Sequence, residues 1–485
     1  MHRCANTIEA IAMRSSRASL HELVALMTAR SVDVALVRAV TTLLWSICRP
    51  AELVRALVLQ WDNVADAEAL DTSPTLLLLC ARRLRIVCVL SQWADSGALR
   101  VDCCDDPDAA VALLRFVQSA RIARRTEGSS LDASVRRIAA AAAAGGGTRS
   151  ATQSDSRAEL CRARRMNSSR PSMSAEAALS LVQSATPKAI AEQLTLLEFW
   201  HYYAGVSARE LAQRCVGGAS LRDGKPRALL KEDAAAAAAE AAASALPIVA
   251  EMVDVFNRRA RGIKLLVLAR CAKARDGAKT RAKRAARWIA VASELRQLRN
   301  FNTLFAAVAA LTGPFVKRYA LPPGSRHASA ATTSALAELA EGVDARGGYA
   351  KYRAALRTAT GGHPCIPALP VVLKDMSTID CAHAARGVRV RGGGSASEAG
   401  PGADAARHGG ARGEAAADED HARIDVAKLL RLSRCAHDFT RGRTREYASI
   451  TPDVHLQAAL RITLEDHGKS SADVMALARE CDGAG

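Results

Sequence analysis

The stretch ELRQLRNFNTLFAAVAALTGPFVKRY, residues 294–319, decides how this chain is read. Its centre is a nearly unbroken run of leucine, alanine, valine and phenylalanine, so it reads as a buried helix. Two asparagines, Asn300 and Asn302, stand on either side of Phe301 at the start of that run. Asparagine competes with the backbone for hydrogen bonds and is a poor helix former, so the pair requires a reason. Either it caps a helix, or it marks a site.

Working outward, the same texture dominates. The chain has 485 residues, enough for two or three domains and a large core. Apolar residues make up 49% but aromatics only 4%, and much of the apolar count is alanine, which favours helix over sheet. The expected fold class is all-α. Apolar positions recur at helical spacing through 20–61, 73–95 and 106–125, with Pro50 suited to the first turn of a helix. These segments predict a small N-terminal bundle over residues 1–125. From 126 to 172 the composition shifts to Gly, Ser and Ala, and reads as a low-complexity linker. Helical periodicity resumes over 173–485, interrupted by biased insertions near 231–245, 322–334 and 386–418. Such insertions are tolerated on surfaces because closing a longer loop costs little extra.

The net charge is +18 and unevenly spread. Residues 258–299 hold 14 Lys or Arg against two acids. A helical face of that kind suits an anionic membrane surface, an acidic protein or nucleic acid, and also serves as an ordinary solvated face. Thirteen cysteines, an odd number without a CxxC pair, point to reduced thiols in the cytosol. No apolar run approaches the ~20 residues of a membrane span, and no secretory signal is visible. The chain is therefore expected to be soluble and cytoplasmic.

Covalent chemistry finds no home in the sequence. GGASLRDGKP at 217–226 brings glycines and a lysine together, but Pro226 stands where a phosphate loop needs Ser or Thr for magnesium. No GxSxG, HExxH or metal-spaced Cys/His cluster occurs. His363 and Cys365 in GGHPCIP are neighbours in sequence only, and a buried cysteine is the commoner case. No metal or cofactor is called for.

The second region carries a resemblance. PKAIAEQLTLLEFWHYY and SARELA within 187–212, EMVDVFNRRARG at 251–262, the long block 280–318, GGYAKYRAALR at 347–357, HPCIPALPVVLKDMSTID at 363–380 and ARIDVAKLLRLSR at 422–434 follow one another in a telling order. In that order they resemble the catalytic domain of Ras-type guanine nucleotide exchange factors. The N-terminal bundle is similar to the Ras exchanger motif that precedes such domains, through NTIEAI at 6–11, VRAVTTLLWSICRPAELVRAL at 37–57 and the segment 84–117. The resemblance implies a small helical bundle followed by a larger, irregular helical catalytic domain with a protruding helical hairpin. It also implies an activity without covalent steps, release of GDP from a Ras-like small GTPase by wedging open its nucleotide site, and no specific nucleic-acid partner. Recruitment to the inner face of a membrane through the 258–299 stretch is compatible with it.

Carried over position by position, the resemblance puts Val253, Phe256, Phe305, Tyr349 and Ala368 at GTPase-binding positions. Ala368 stands where a phenylalanine is common. Thr312 replaces a usual asparagine, and Ser377 and Cys381 fall where the wedge carries an apolar residue and a glutamate. Asp380, one residue away, offers a carboxylate if the arm shifts register; together with Thr312, Ser377 and Cys381 it forms the catalytic set. Gln193, Thr195, Asn257, Arg281, Asn300 and Asn302 fall at framework positions. The substituted wedge keeps a second reading open, a GTPase-binding scaffold that retained the fold and lost exchange.

Overall fold

The computed structural model describes residues 17–29, 34–70, 75–119, 132–145, 173–215, 248–269, 277–322, 327–359, 362–388, 424–466 and 475; for 17, 64–70, 75–82, 132, 145, 383–388 and 466 the backbone alone is described. The NTIEAI motif, the insertion at 231–245 and most of that at 386–418 lie outside the described residues. The chain divides into two compact units that interleave along the sequence. The first comprises Met1–Asp155, Ala208–Ala236 and Asp375–Asp438; the second comprises Ser156–Ser207, Ala237–Lys374 and Phe439–Gly485.

As the composition predicts, the fold is all-α. Among the described residues the only paired strands are two-residue pieces, β1 (Arg17–Ala18) and β2 (Ile424–Asp425), antiparallel within the first unit. Directly after β1, Ser19 and Glu22 form a capping box that starts α1 (Leu20–Met27). There follow α2 (Val34–Leu43), α3 (Pro50–Leu70), α4 (Thr75–Asp95), α5 (Ala98–Asp105) and α6 (Pro107–Gln118). Both α3 and α6 begin on proline, whose missing N–H costs nothing there. Asp106 ties those two starts together by accepting from the Ala51 amide at 2.9 Å and from Arg49 at 3.0 Å.

One expectation needs correction. Within the stretch 126–172, read as linker, Asp132–Gly145 forms a helix, α7, that buries Ile138 and Ala142. Alanine-rich composition looks simple, yet alanine is the best helix former, and one apolar face suffices to pack. The first unit also contains α10 (Ala208–Cys215), whose Arg209 pairs at 2.6 Å with buried Asp102. Asp102 additionally accepts from Trp93 Nε1 at 2.8 Å. Burial raises the Asp102 pKa, and Arg209 opposes that shift.

The second unit is built from α8 (Ala175–Ser184), α9 (Pro187–His201), α11 (Ile248–Leu268), α12 (Gly277–Gln297), α13 (Phe301–Leu311), α14 (Pro314–Tyr319), α15 (Ala330–Gly342), α16 (Ala350–Ala359) and α19 (Val454–Leu460). Near the insertion at 322–334, Ser329 caps α15, so only the first part of that stretch precedes the helix. Helix α13 is the core element: Phe301 through Leu311 are all buried except Ala309. Close helix packing requires a glycine at one point. A Cβ on Gly262 of α11 would lie 2.6 Å from the Leu464 carbonyl oxygen, in the π-type turn Arg461–Asp466.

Two further helices bear on function, α17 (Leu369–Val388) and α18 (Val426–Thr440). Within the first unit, Lys428 Nζ of α18 reaches Asp380 Oδ1 of α17 at 2.7 Å, with both side chains buried. This pair joins the two arms of a helical hairpin.

Candidate functional site

The opening asparagines are accounted for by hydrogen bonds in the second unit. Asn300 is the N-cap of α13: its Oδ1 accepts from the Thr303 amide at 3.1 Å. Its Nδ2 donates to Thr195 Oγ1 of α9 at 3.1 Å. The backbone beside it forms a bridge, in which the Phe301 amide donates to the Ile366 carbonyl at 2.9 Å and the Ile366 amide to the Arg299 carbonyl at 3.0 Å. Asn302 works in the other direction. Its Nδ2 donates to Glu198 Oε1 at 2.8 Å, and its Oδ1 accepts from the Leu369 amide at 3.0 Å, the first residue of α17. Only a side chain with a donor and an acceptor does both.

Glu198 belongs to a buried charge cluster. Arg259 of α11 pairs with Glu198 and with Glu465, its Nε donating to Glu465 Oε1 at 3.0 Å, and it also reaches Thr303. Burial raises the Glu198 pKa, while Arg259 and the Asn302 hydrogen bond work against that shift. The cluster joins α9, α11, α13 and the turn at 461–466, and so fixes the framework from which α17 begins.

An aromatic group stands over this framework. Phe305 lies 6.0 Å from Tyr349 and 5.2 Å from Tyr352, centroid to centroid, the latter edge-on. Tyr352 also meets Phe301 edge-on at 5.3 Å, and its hydroxyl accepts from the Ala368 amide at 2.9 Å. Lys374 Nζ lies 5.3 Å over the Tyr349 ring, a cation–π contact. Tyr349 holds φ = +61°, following Gly347 at +64° and Gly348 at +66°. A left-handed tyrosine carries strain of about 1–3 kcal/mol, which the surrounding packing must offset, and such strain concentrates at functional sites.

The residues singled out from sequence fall into three groups. Phe305, Tyr349, Val253 and Phe256 are buried or half-buried in the second unit, and Asn257 is exposed. Phe305, Ala309 and Thr312 recur at i, i+4 and i+7, so they share a face of α13, and Ala309 opens that face to solvent. Thr312 ends the helix, its hydroxyl donating to the Val308 carbonyl at 2.8 Å and leaving its lone pairs to accept. Ala368 is only 1% exposed, so it packs beneath the surface and offers no contact face.

Framework positions hold elements together. Gln193 ties α9 to the start of α19, donating to the Thr451 carbonyl at 3.0 Å and accepting from the Asp453 amide at 2.9 Å. Arg281 Nε donates to the Tyr319 carbonyl at the end of α14 at 3.0 Å.

On α17 the register argument resolves against one expectation. Asp380 does not present a carboxylate at the surface, because it turns inward to Lys428; Cys381, 100° further round the helix, is exposed, and Ser377 is half-buried. Sequence reasoning passed over Tyr352, Lys374, Ala309, Arg259 and Glu198. A buried Glu and Arg on separate apolar helices is a detectable signal, since neither is buried without a partner. Nothing local marks Lys374. A Cys365 nucleophile is excluded, because burial pushes its thiol up to about 12 and it is 2% exposed.

Residues 189–390 match the RasGEF domain. Over 137 residues, 28% of this chain and 19% of its own length, the RAS guanyl-releasing protein 4 of Mus musculus is 34% identical. Ras guanyl-releasing protein 3 of Homo sapiens is 32% identical over 133 residues, covering 27% of this chain and 18% of that protein. Ras guanine nucleotide exchange factor A of Dictyostelium discoideum is 27% identical over 191 residues, covering 39% and 26%. The chain thus spans about a fifth to a quarter of the length of these relatives. The RasGEF match takes in all of α9 but its first two residues and all of α10 to α17, and with them the Asn302 anchor and the Phe305–Tyr349 pair.

Proposed function

We propose that this protein is a guanine nucleotide exchange factor for a Ras-like small GTPase. The observation that carries the reading is the strained, lysine-covered Tyr349 against Phe305, on a framework that also holds the first turn of α17, all inside the RasGEF match. Phe305, Tyr349, Val253, Phe256 and Thr312 then form the face that takes the GTPase, and the α17–α18 hairpin is the wedge. Exchange is a population shift: a surface that binds the nucleotide-free GTPase better than the loaded form must lower nucleotide affinity by the same factor. Residues 1–125 are proposed as a Ras exchanger motif-like module, and 173–485 as the exchange domain.

A cytoplasmic location at the inner face of a membrane is proposed with it. Much of the basic stretch at 258–299 has internal work: Arg259 is buried, Arg258 pairs with Asp254, and Arg287 caps the carbonyl end of α8. Among the described residues, Lys279 and Lys283 are exposed on α12 and are proposed to meet anionic lipid. Release of a fluorescent guanine nucleotide from a panel of Ras-like GTPases tests the main reading. Acceleration with one member is expected, and none with any member sinks it.

A second reading has its own observation. With Asp380 turned inward and Cys381 and Ser377 at the wedge, the hairpin presents no carboxylate among its described positions 377–381. A GTPase-binding scaffold without exchange would bind the GTPase in the same panel and leave its nucleotide in place.

A further inference from the structure

Beyond Thr312, the surface changes from aromatic to cationic. Residues 255–275 and 301–322 contain no Asp or Glu, an acid-free run through the second half of α11, α13 and α14. On α11, Lys264 lies eleven residues after Val253 and eight after Phe256, which returns it to the same helix face. Its side chain crosses the turn between α13 and α14: Lys264 Cε would lie 3.4 Å from a Cβ built on Gly313, the residue after Thr312. Arg261, one turn earlier, is close enough to act on Lys264 electrostatically. From the other side, the Lys317 amide donates to the Gly313 carbonyl at 3.0 Å, and its side chain is exposed.

Lys264 is half-buried, and among the described residues its ammonium makes no hydrogen bond or ion pair. Burial and the Arg261 charge hold its pKa below the usual lysine range. The carbonyl end of α13, next to Gly313, carries only partial negative charge, which is weaker than that of an ion.

We propose that Arg261, Lys264 and Lys317 form an acid-recognition edge of the GTPase-binding face, with Lys264 as the specificity-determining contact for a carboxylate on the GTPase. The inference rests on the reading of this face as GTPase-binding. A recessed ammonium against a glycine turn fits one side-chain carboxylate reaching inward, whereas a lipid surface is met by cations that protrude. An incoming carboxylate would relieve the repulsion between Lys264 and Arg261 and hold the partner's acidic segment beside Thr312.

The test compares the full chain with Lys264→Ala, Lys264→Glu, Lys264→Arg and Lys317→Glu, using the GTPase that the unaltered chain binds or exchanges. Melting temperatures identify any variant that fails to fold. Lys264→Glu is expected to raise KM for the GTPase about tenfold, with the loss in KM rather than in kcat, and Lys264→Arg to restore most of it. Raised salt should weaken the unaltered chain more than Lys264→Ala. A folded Lys264→Glu with unchanged KM and unchanged salt dependence overturns the proposal. If the unaltered chain binds a GTPase without exchange, the exchange reading fails alone, and the dissociation constants of the same variants decide this one. If it binds no GTPase, both fall. Sedimentation with phosphatidylserine vesicles separates the remaining source: loss of vesicle binding in Lys264→Glu with GTPase binding intact would assign the edge to lipid and overturn the proposal.

Discussion

Two buried ion clusters invite comparison. In the second unit, Arg259 lies between Glu198 and Glu465, with Asn302 and Thr303 completing the set. In the first unit, Lys428 and Asp380 join the hairpin arms. The former is woven through four segments that are distant in sequence, and it positions a helix start. The latter links two helices and sits beside the residues that a wedge would use. The first fixes a framework through several helices at once, while the second links one arm of the hairpin directly to the other. Buried ion pairs of either kind are weak evidence for net stability, yet removing one partner is costly because the other charge stays behind.

Arg259→Ala is the largest way to break the contrast. It strands two buried carboxylates, and a loss of about 3–5 kcal/mol is expected in urea unfolding. The pH dependence has a definite sign. A carboxylate whose folded pKa is raised takes up its proton more readily when folded, so its burial is costly above that pKa and is relieved as pH falls through it. The Arg259→Ala deficit should therefore shrink as pH is lowered toward the acid range. A deficit that grew instead would contradict the assignment of Glu198 as the raised group.

In the hairpin, Lys428→Met alone should cost about 3–5 kcal/mol by taking the buried Lys428 charge away from Asp380, whereas the double change Lys428→Met with Asp380→Leu should recover most of that loss. If exchange recovers as well, the pair acts only on folding. Exchange that stays low in a well-folded double variant makes the pair a geometric pin for the wedge.

Smaller effects sharpen the picture. Gly262→Ala, pressing a methyl into the Leu464 backbone, should lower stability by about 1–3 kcal/mol with little specific effect on exchange. Asn302→Ala frees the Leu369 amide and should cost a similar amount, but it is expected to raise hydrogen exchange at the start of α17 and slow nucleotide release together. At the low end, Cys381→Glu should change stability within about 0.5 kcal/mol, because the site is exposed. An increase in nucleotide release by that variant would indicate a wedge weakened by the missing carboxylate.

Much of this was legible from residue types. The all-α class followed from abundant alanine and leucine and from few aromatics. Phe305 and Tyr349 stand out in the sequence as aromatic residues at motif positions, and the structure brings their rings within 6.0 Å. Lys374 and Lys264 do not, since each owes its role to a neighbour far along the chain: the Tyr349 ring in one case, the Gly313 turn in the other. Composition also misjudged 132–145, where low complexity hid a packed helix.

The asparagines mark the division most clearly. By itself, the sequence determined that Asn300 and Asn302 needed partners, because an amide at the start of an apolar helix cannot be buried unsatisfied. Only the tertiary structure decided which partners: Thr195 and Thr303 for one, Glu198 and the Leu369 amide for the other. Likewise, the spacing on α17 left the direction of Asp380 open, and packing against Lys428 turned it inward. Local chemistry states what a side chain requires, and long-range packing chooses what meets that requirement.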